Sequence, residues 1–234
     1  MTRRVHDLGG SRAYRPVRPA AIDRIFDHDW ERKVFGMTFA TLAQGIYNTD
    51  ENRYARESME PSEYLASSYW ALWFAALETN LVDKGVVEFD EIDERARAIA
   101  GGRFPALPDA PRPELVRDVK DAIFGGVSAA RPPAAAARFA VGERVRARTI
   151  RLHGHTRLPG YVQGRVGVVA RVCGSYVYPD TNAHLRGEHP EHVYTVRFRA
   201  GELWGDASEP NVTVAVDAWE SYLEPAPAAR EEAR

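Results

Sequence analysis

The sequence predicts an α+β protein in which an extended N-terminal arm and a helical domain precede a small C-terminal β-barrel. Three observations support this order of elements. Residues 1–20 contain five arginines, two prolines and two glycines without apolar periodicity, a pattern that is typical of neither helix nor strand. Apolar residues then recur at helical spacing from residue 29 to about 104, and short apolar runs alternate with turn residues from residue 138 onward.

The helical domain is predicted from capping residues that alternate with glycines. Asp29 can cap a helix that ends at Gly45, and Thr49 can cap a second helix that carries Arg53. Residues 90–100 are expected to form a further short helix, which a pair of glycines ends.

A third helix is predicted to begin at Pro61, to continue to Leu81 and to end at Gly85. It carries a stripe of aromatic side chains, namely Tyr64, Tyr69, Trp70, Trp73 and Phe74. Aromatic residues at helical spacing usually belong to a core, but five on one helix exceed what a single small helical layer must bury. The excess indicates a protein interface.

A proline-rich linker separates the helical domain from the strands. Four prolines fall between residues 105 and 113, a helix is expected at 114–123, and RPPAAAAR covers 131–138. Four strands at 143–149, 164–172, 192–198 and 212–216 then predict a small closed or half-closed barrel. The expected division is an arm at 1–28, a helical domain at 29–104, a linker at 105–137, a barrel at 138–228 and a disordered tail at 229–234.

Composition and charge exclude several classes of protein. The chain is 44% hydrophobic and 27% charged with a net charge of −2, which excludes a largely disordered chain or a histone-like polyanion binder. Charge is nevertheless uneven, because residues 138–171 hold eight arginines and one acid, whereas acids outnumber arginines from residue 172 onward. No apolar run approaches the roughly 18 to 20 residues of a membrane span, and the N-terminus lacks the apolar core of a secretory signal. We therefore expect a cytoplasmic protein without a membrane partner.

Familiar catalytic and metal-binding motifs are missing from the sequence. Cys173 is the single cysteine, which excludes an internal disulfide and a CxxC site, and its apolar neighbours favour a buried side chain. The closest histidine pairs, His153 with His155 and His189 with His192, match no recognised set of metal ligands. The sequence also lacks a GxSxG elbow, a P-loop and a GxGxxG motif. These observations indicate a large partner but identify no reaction.

Arg157 lies in the segment GHTRLPGY, between predicted strands and beside Pro159 and Gly160. A loop of this kind can keep a guanidinium at a defined position. On residue type alone, a solvated or ion-paired loop arginine is the simpler interpretation.

Many ordered segments of the chain nevertheless resemble the beta subunit of nitrile hydratase, from the N-terminus to about residue 225. The matching segments are VHDLGG at 5–10, HDWERKV at 28–34, MEPSEYLASSYW at 59–70 after the Arg53 helix, FAVGERVRAR at 139–148, GHTRLPGYVQGRVG at 154–167, YVYPDTNA at 176–183, YTVRF at 194–198, ELWG at 202–205 and VDAWESYLEP at 216–225.

The resemblance implies a heteromeric enzyme that hydrates a nitrile to its amide. In that family the alpha subunit binds a low-spin Fe(III) or Co(III) ion, and two cysteine ligands of the ion are oxidised to sulfinic and sulfenic forms. This chain is then expected to bind no metal itself, and segments such as ELWG favour cobalt in the partner. The resemblance also implies an arm that wraps the alpha subunit, an SH3-like barrel of about five strands, and a dimer of alpha–beta pairs.

The resemblance further implies roles for individual residues. Arg53 and Arg157 match two arginines that hydrogen-bond the oxidised cysteines of the alpha subunit, a role that suits planar, permanently charged donors. Tyr69 matches a tyrosine near the substrate, and these three residues are the expected catalytic residues. The expected substrate pocket consists of Trp73, Trp70, Thr49 and Asn52. Some family members have Leu and Phe where Thr49 and Asn52 stand here, which suggests a more polar or tighter pocket.

Three other interpretations remain open. Thiocyanate hydrolase uses a related metal site but divides the corresponding sequence between two shorter chains. The arginine-rich segment at 138–171 could belong to a nucleic-acid-binding barrel, although we expect no nucleic-acid partner. A non-catalytic maturation relative is disfavoured by Arg53 together with the complete barrel segment.

Overall fold

The computed structural model describes residues 4–10, 24–104, 106, 112–150, 154–205 and 208–227. The chain divides into two compact units. The helical unit lies within residues 16–128, and the sheet unit combines residues 129–234 with the N-terminal residues 1–15. A helical region followed by an antiparallel sheet confirms the predicted α+β class.

Several predicted segments lie wholly or partly outside the described residues. Residues 1–3 and 11–23 of the predicted arm, most of the proline-rich stretch at 105–111 and the predicted tail belong to these segments. No helix within the described ranges has the length and apolarity that crossing a membrane requires.

The helical unit contains six helices in its described part. They are α1 Asp29–Ala43, α2 Thr49–Glu57, α3 Pro61–Ala66, α4 Tyr69–Asp83, α5 Phe89–Ala100 and α6 Pro113–Gly125. Helix α4 packs against both α1 and α2, and α1 also packs against α6. The two helices that carry most of the predicted site residues, α2 and α4, therefore pack against each other.

The structure corrects the predicted cap of α2. Asn48, not Thr49, caps the helix, since its Oδ1 accepts hydrogen bonds of 2.9 Å from the backbone N–H groups of Asp50 and Glu51. Glu51 Oε2 accepts in return from the Asn48 backbone N–H at 2.7 Å, which completes a capping box. Thr49 is the first helical residue and is exposed. Asp29, likewise predicted as a cap, is the first residue of α1.

The predicted third helix is in fact two helices. Helix α3 ends at Ala66, the backbone of Ser67 is extended, and Ser68 Oγ accepts a hydrogen bond from the Ala71 backbone N–H at 3.4 Å. Serine stabilises a helix start because its side chain replaces a missing intrahelical partner. The predicted aromatic stripe is therefore divided, with Tyr64 on α3 and the other four residues on α4.

In the part that the structure describes, the sheet unit contains five strands and two short α-helices, besides two 3-10 turns at Gly160–Val162 and Glu220–Tyr222. They are β1 Arg144–Ala147, β2 Val166–Tyr176, α7 Pro179–Asn182, β3 Glu191–Arg199, α8 Ala200–Trp204, β4 Thr213–Trp219 and β5 Leu223–Pro225. All strand pairs are antiparallel, in the order β4-β3-β2-β1-β5. The expected closure into a barrel is not observed, because β4 and β5 are the two edges of this sheet. The short β5 was not predicted.

Alternation along the strands produces the core of the sheet unit. In β1, Val145 and Ala147 are fully buried while Arg144 and Arg146 are exposed, as expected for a strand with one face against a core. Other core residues are Phe139, Leu158, Val162, Val169, Tyr194, Val196, Phe198, Leu203, Ala218, Tyr222 and Leu223. Cys173, predicted to be buried, is only half-buried on β2, and its Sγ lies 3.3 Å from Thr195 Oγ1.

Replacing the α2 cap should distinguish the observed cap from the predicted one. We expect Asn48→Ala to lower the free energy of unfolding by about 1 kcal/mol, because two backbone N–H groups lose their acceptor. Thr49→Ala, at an exposed position that accepts no capping hydrogen bond, is the matched control and should change it by less than about 0.5 kcal/mol. Denaturant unfolding of the purified variants measures both, and a larger loss for the Thr49 variant would contradict the assignment.

Candidate functional site

Arg53 lies on the second turn of α2, where an acidic residue of the first turn contacts it. Its Nη1 is 3.0 Å from Asp50 Oδ1, and the Asp50 side chain is almost fully buried. The Arg53 side chain keeps 41% of its surface exposed. A guanidinium carries five N–H donors, so the contact with Asp50 orients Arg53 without using up its capacity to donate.

A second ion pair connects α2 to α4. Lys84 Nζ lies 2.5 Å from Glu51 Oε1, and the side chains are 22% and 9% exposed. Glu51 therefore takes part in the capping box through one oxygen and in the ion pair through the other. Removing Lys84 would leave the nearly buried Glu51 carboxylate without compensation, so this contact strongly determines where the start of α2 lies against the end of α4.

Two buried polar atoms, one on α2 and one on α4, lack hydrogen-bond partners among the described residues. Asn52 is 2% exposed, and its Oδ1 has no hydrogen-bond partner among the described residues. The same holds for the buried Nε1 of Trp73 on α4. Because buried polar side chains are normally hydrogen-bonded, both atoms are candidates for contact with a water molecule, a partner chain or a ligand.

Arg56 lies between these two residues and was not predicted as a site residue. Its Nε donates to the Asn52 carbonyl oxygen at 3.3 Å, and its guanidinium carbon lies 4.7 Å from the centre of the Trp73 ring. Burial lowers the pKa of Arg56, and the neighbouring Tyr69 opposes this effect. Its position three residues after Arg53 was visible in the sequence, but its stacking on α4 was not.

The predicted aromatic residues of α4 differ in their surroundings. Trp70 is buried, donates through Nε1 to the Ile25 carbonyl oxygen at 3.3 Å and packs against Phe26. Tyr69 is 62% exposed, although its ring contacts those of Trp70 and Trp73. Trp70 therefore belongs to the core of the helical unit, whereas Tyr69 is presented at its surface. Thr49 is exposed at the start of α2.

In the sheet unit, Arg157 is an exposed residue of the connection between β1 and β2. The loop backbone is hydrogen-bonded at this residue and at the residue two positions before it. The Arg157 N–H donates to the Tyr222 hydroxyl at 3.1 Å, and the His155 N–H donates to His184 Nε2 at 3.0 Å. Burial lowers the pKa of His184, which favours the neutral ring that this second hydrogen bond requires.

The Tyr222 hydroxyl continues into a buried polar cluster. It donates a short hydrogen bond to Asp180 Oδ1, and the side chains of Thr156 and Tyr178 lie near the same carboxylate and oppose the rise of its pKa. Burial raises the pKa of Asp180 and of both tyrosines. Neither Asp180 nor Tyr222 was predicted as a site residue, since nothing local in the sequence connects them to Arg157.

The N-terminal segment 4–10 packs against the same sheet unit. The Gly160 N–H donates to the Asp7 carboxylate at 3.0 and 3.2 Å. A methyl group at Gly9 would lie 2.9 Å from the Tyr161 ring, and one at Gly10 would lie 2.8 Å from the Tyr161 Cβ, so the tyrosine requires glycine at both positions. This part of the predicted arm therefore contacts its own chain, and wrapping of a partner remains a prediction.

An open cavity of about 740 Å³ lies elsewhere in the sheet unit. Its lining includes Arg146, Arg148, Tyr178, Ser221 and Glu224. None of the predicted site residues lines it. Within the described ranges, no three His, Cys, Asp or Glu side chains are grouped as metal ligands, and His153 lies outside those ranges.

Helices followed by an antiparallel sheet define a two-unit α+β protein, which carries Arg53 in its helical unit and Arg157 in its sheet unit. The family model described as "Nitrile hydratase beta subunit, N-terminal" matches residues 1–122, and its C-terminal counterpart matches residues 128–225. The chain therefore belongs to the nitrile hydratase beta subunit family, as the sequence motifs predicted.

Individual relatives agree with this membership. The chain is 41% identical to the low-molecular weight cobalt-containing nitrile hydratase subunit beta of Rhodococcus rhodochrous, over 95% of this chain and 99% of that protein. It is 38% identical to the cobalt-containing nitrile hydratase subunit beta of Pseudonocardia thermophila, over 94% and 95%. Among solved structures, an apo-enzyme of thiocyanate hydrolase from Thiobacillus thioparus is similar over 40% of this chain and 79% of that chain, with 29% identity and a TM-score of 0.38.

The contact between His184 and the start of the Arg157 loop can be tested at Gly154. A methyl group there would lie 2.4 Å from His184 Nε2. We expect Gly154→Ala to lower the stability by about 1 to 3 kcal/mol, because the ring and its hydrogen bond to His155 must shift. Gly36→Ala within α1 meets no atom within 4 Å and should be neutral or stabilising by about 0.5 to 1 kcal/mol. Thermal unfolding compares the two, and equal stabilities would contradict the packing described.

Proposed function

We propose that this chain is the beta subunit of an enzyme that hydrates nitriles to amides, in complex with an alpha-type subunit. The observation that carries this proposal is membership of the nitrile hydratase beta subunit family over residues 1–122 and 128–225. Relatives that share 41% and 38% of their residues along nearly their whole length support it. The segments that match include both arginine-bearing segments.

The metal of the proposed enzyme belongs to the partner. We propose a Co(III) or Fe(III) ion bound by the alpha subunit, and cobalt is the better expectation because two relatives are named as cobalt-containing. The chemistry of this chain's side chains fits such an arrangement, since its arginines are suited to anionic ligands of a metal rather than to the metal itself. When bound, the ion would act as a Lewis acid that polarises the nitrile.

Arg53 and Arg157 are proposed to donate hydrogen bonds to oxidised cysteine side chains of the alpha subunit. Sulfinic and sulfenic groups are anionic acceptors, and arginine presents a planar fork that stays charged. Asp50 orients the Arg53 guanidinium, and Tyr222 accepts from the Arg157 backbone, so both arginines begin from restrained positions. Such donors would keep the geometry and charge of the oxidised groups constant during turnover.

Tyr69 is proposed to lie near the substrate, with Trp73, Trp70, Thr49 and Asn52 around the pocket. Its exposure of 62% leaves the hydroxyl accessible to a partner or a substrate. The uncompensated Oδ1 of Asn52 and Nε1 of Trp73 support a pocket that is partly polar. Arg56, stacked on Trp73, adds a positive charge to the same surface.

The assembly is proposed to be a dimer of alpha–beta pairs, in which the alpha subunit covers part of the aromatic surface of α4. Tyr69 and Phe74 are 62% and 45% exposed on that helix, which is more apolar surface than an isolated layer should present to water. We also propose that the sheet unit is the SH3-like barrel of the family, in the open form described above.

Co-purification with the alpha-type subunit tests the proposed function directly. We expect the pair to convert small nitriles to amides and to contain about one cobalt or iron ion per pair, as measured by product analysis and elemental analysis. Either a metal-loaded pair that hydrolyses thiocyanate but leaves nitriles unchanged, or a pair without activity on both, would contradict the proposal.

Conservative replacement of either arginine should separate chemistry from assembly. We expect Arg53→Lys and Arg157→Lys each to lower kcat by roughly 10- to 100-fold, since lysine cannot reproduce the planar fork, while the subunits still associate. Arg95→Lys is the control, because Arg95 is an exposed residue of α5 that forms an exposed ion pair with Glu91 four residues earlier. Steady-state kinetics and size-exclusion chromatography measure the two properties. Turnover at the level of the unmodified pair would refute the assigned role.

A further inference from the structure

We propose that Tyr222 and Asp180 are positioning residues for Arg157, a buried phenol–carboxylate pair that sets the backbone position of the arginine loop and thereby the turnover of the proposed reaction. This inference rests on the function proposed above. It adds Tyr222 and Asp180 of the sheet unit to the residues that determine the rate of the proposed reaction. Neither residue needs to contact the substrate.

Tyr222 connects the Arg157 loop to the interior of the sheet unit. The side chain is 0% exposed, and its ring contacts those of Tyr178 and Trp219 at centroid distances of 5.6 and 6.0 Å. Its hydroxyl accepts from the Arg157 N–H and donates to Asp180 Oδ1. A ring that cannot rotate out of its packing keeps this hydroxyl at a defined point.

Asp180 joins the same loop by a second route. It lies on α7 with the Thr156 side chain near its carboxylate, and the Thr156 Oγ1 lies 3.4 Å from the Leu158 backbone N–H. The residues immediately before and after Arg157 are thus connected to one carboxylate. Burial raises the pKa of Tyr222, so the phenol keeps its proton and donates to Asp180 while its lone pairs accept from the loop.

The arginine side chain is long, so the position of its guanidinium depends on the backbone that carries it. A guanidinium can keep a fixed position relative to a partner's acceptor only if the backbone that carries it is also fixed. Without the Tyr222 hydroxyl, the Arg157 N–H and the Asp180 carboxylate would each lose a buried partner, and the loop would relax. Displacements of about 1 Å in a positioned donor commonly cost large factors in rate.

A second tyrosine in the sheet unit provides a matched control. The Tyr194 hydroxyl accepts from the backbone N–H groups of Arg138 and Phe139 at 2.9 and 3.4 Å and donates a short hydrogen bond to Glu220. Tyr194 is also 0% exposed, and burial raises its pKa to about 12. Its chemistry therefore matches that of Tyr222, but the backbone it holds is that of residues 138 and 139.

The test uses Tyr222→Phe and Tyr194→Phe in the intact alpha–beta pair. We expect Tyr222→Phe to lower kcat by about tenfold or more, with little change in KM and with the metal content and subunit association retained. Tyr194→Phe should change kcat by less than about twofold, although both variants lose a comparable buried hydrogen bond and should unfold at lower temperature. Equal effects of the two variants on kcat would overturn the positioning role.

Asp180 provides an independent pair of variants if Tyr222→Phe assembles poorly. Asp180→Asn keeps an oxygen that can accept from the Tyr222 hydroxyl, whereas Asp180→Ala removes it. We therefore expect kcat to decrease from the unmodified pair to Asn to Ala. An alanine variant with undiminished kcat would overturn the proposal.

A combined variant shows whether Tyr222 acts through Arg157. Adding Tyr222→Phe to Arg157→Lys should lower kcat by less than about twofold beyond Arg157→Lys alone, because the group being positioned is already impaired. Full multiplication of the two separate losses would overturn the proposal.

Hydrogen exchange of the Arg157 amide separates this inference from the proposed function. Its exchange rate should rise at least about tenfold in Tyr222→Phe and stay within about twofold in Tyr194→Phe, whether or not the pair hydrates nitriles. If the rate rises in Tyr222→Phe but the pair does not hydrate nitriles, the role of Tyr222 in holding the Arg157 backbone is supported and only the proposed reaction is refuted. Unchanged exchange in Tyr222→Phe would overturn the inference itself.

Discussion

A phenolic hydroxyl enclosed by a sheet core must find its hydrogen-bond partners inside the protein, and at Tyr222 this requirement joins three separate segments. The side chain is fully buried, its hydroxyl reaches Asp180 on α7 and the Arg157 backbone, and its carbonyl oxygen accepts from the Arg148 N–H after β1. Hydrogen bonds in such a low-dielectric setting are strong, and leaving one unmade is costly. The backbone that carries the exposed Arg157 is thus positioned from the inside of the sheet unit.

The helical unit uses the same physical device around Arg53. Glu51 completes the cap of α2 with one oxygen and pairs with the other to Lys84, the C-cap residue of α4. A single nearly buried carboxylate therefore determines both the start of α2 and its contact with the end of α4. Arg53 follows two residues later and forms an ion pair with the nearly buried Asp50. In each unit, a partly or fully exposed arginine is carried by backbone that buried polar contacts restrain.

The uneven charge of the C-terminal half has a partial explanation in the strand order. Residues 138–171 are rich in arginine and the residues after them are rich in acids, and the sheet places β1 of the first group beside β5 of the second. Arg146 lies 2.6 Å from Glu224, and Arg148 lies 3.6 Å from the same carboxylate. Part of the basic segment is therefore neutralised within the chain, so the arginine-rich segment is a weaker argument for nucleic-acid binding. Such exposed pairs contribute little to stability, but they favour the pairing of β1 with β5 over pairings with other strands.

The sequence by itself determined the class of fold and most of the helices and strands, because capping residues, glycines and apolar periodicity act over a few neighbouring positions. The family was indicated separately, by the resemblance of many ordered segments to the beta subunit of nitrile hydratase. The sequence did not reveal that Asn48 and not Thr49 caps α2, or that Ser68 divides the predicted third helix, because several adjacent residues can cap and only the folded backbone selects one. It also missed the three-residue β5, which is too short to show a pattern.

What only the tertiary structure decided is which distant side chains meet. Tyr222 and Arg157 are 65 positions apart in the chain, and Arg56 meets Trp73 across two helices. Such contacts depend on how elements pack against one another, and the packing is set by the combined burial of many residues rather than by any local pattern. Motifs therefore sufficed to point to Arg53 and Arg157 as candidates, whereas the residues that restrain them could be found only in the folded chain.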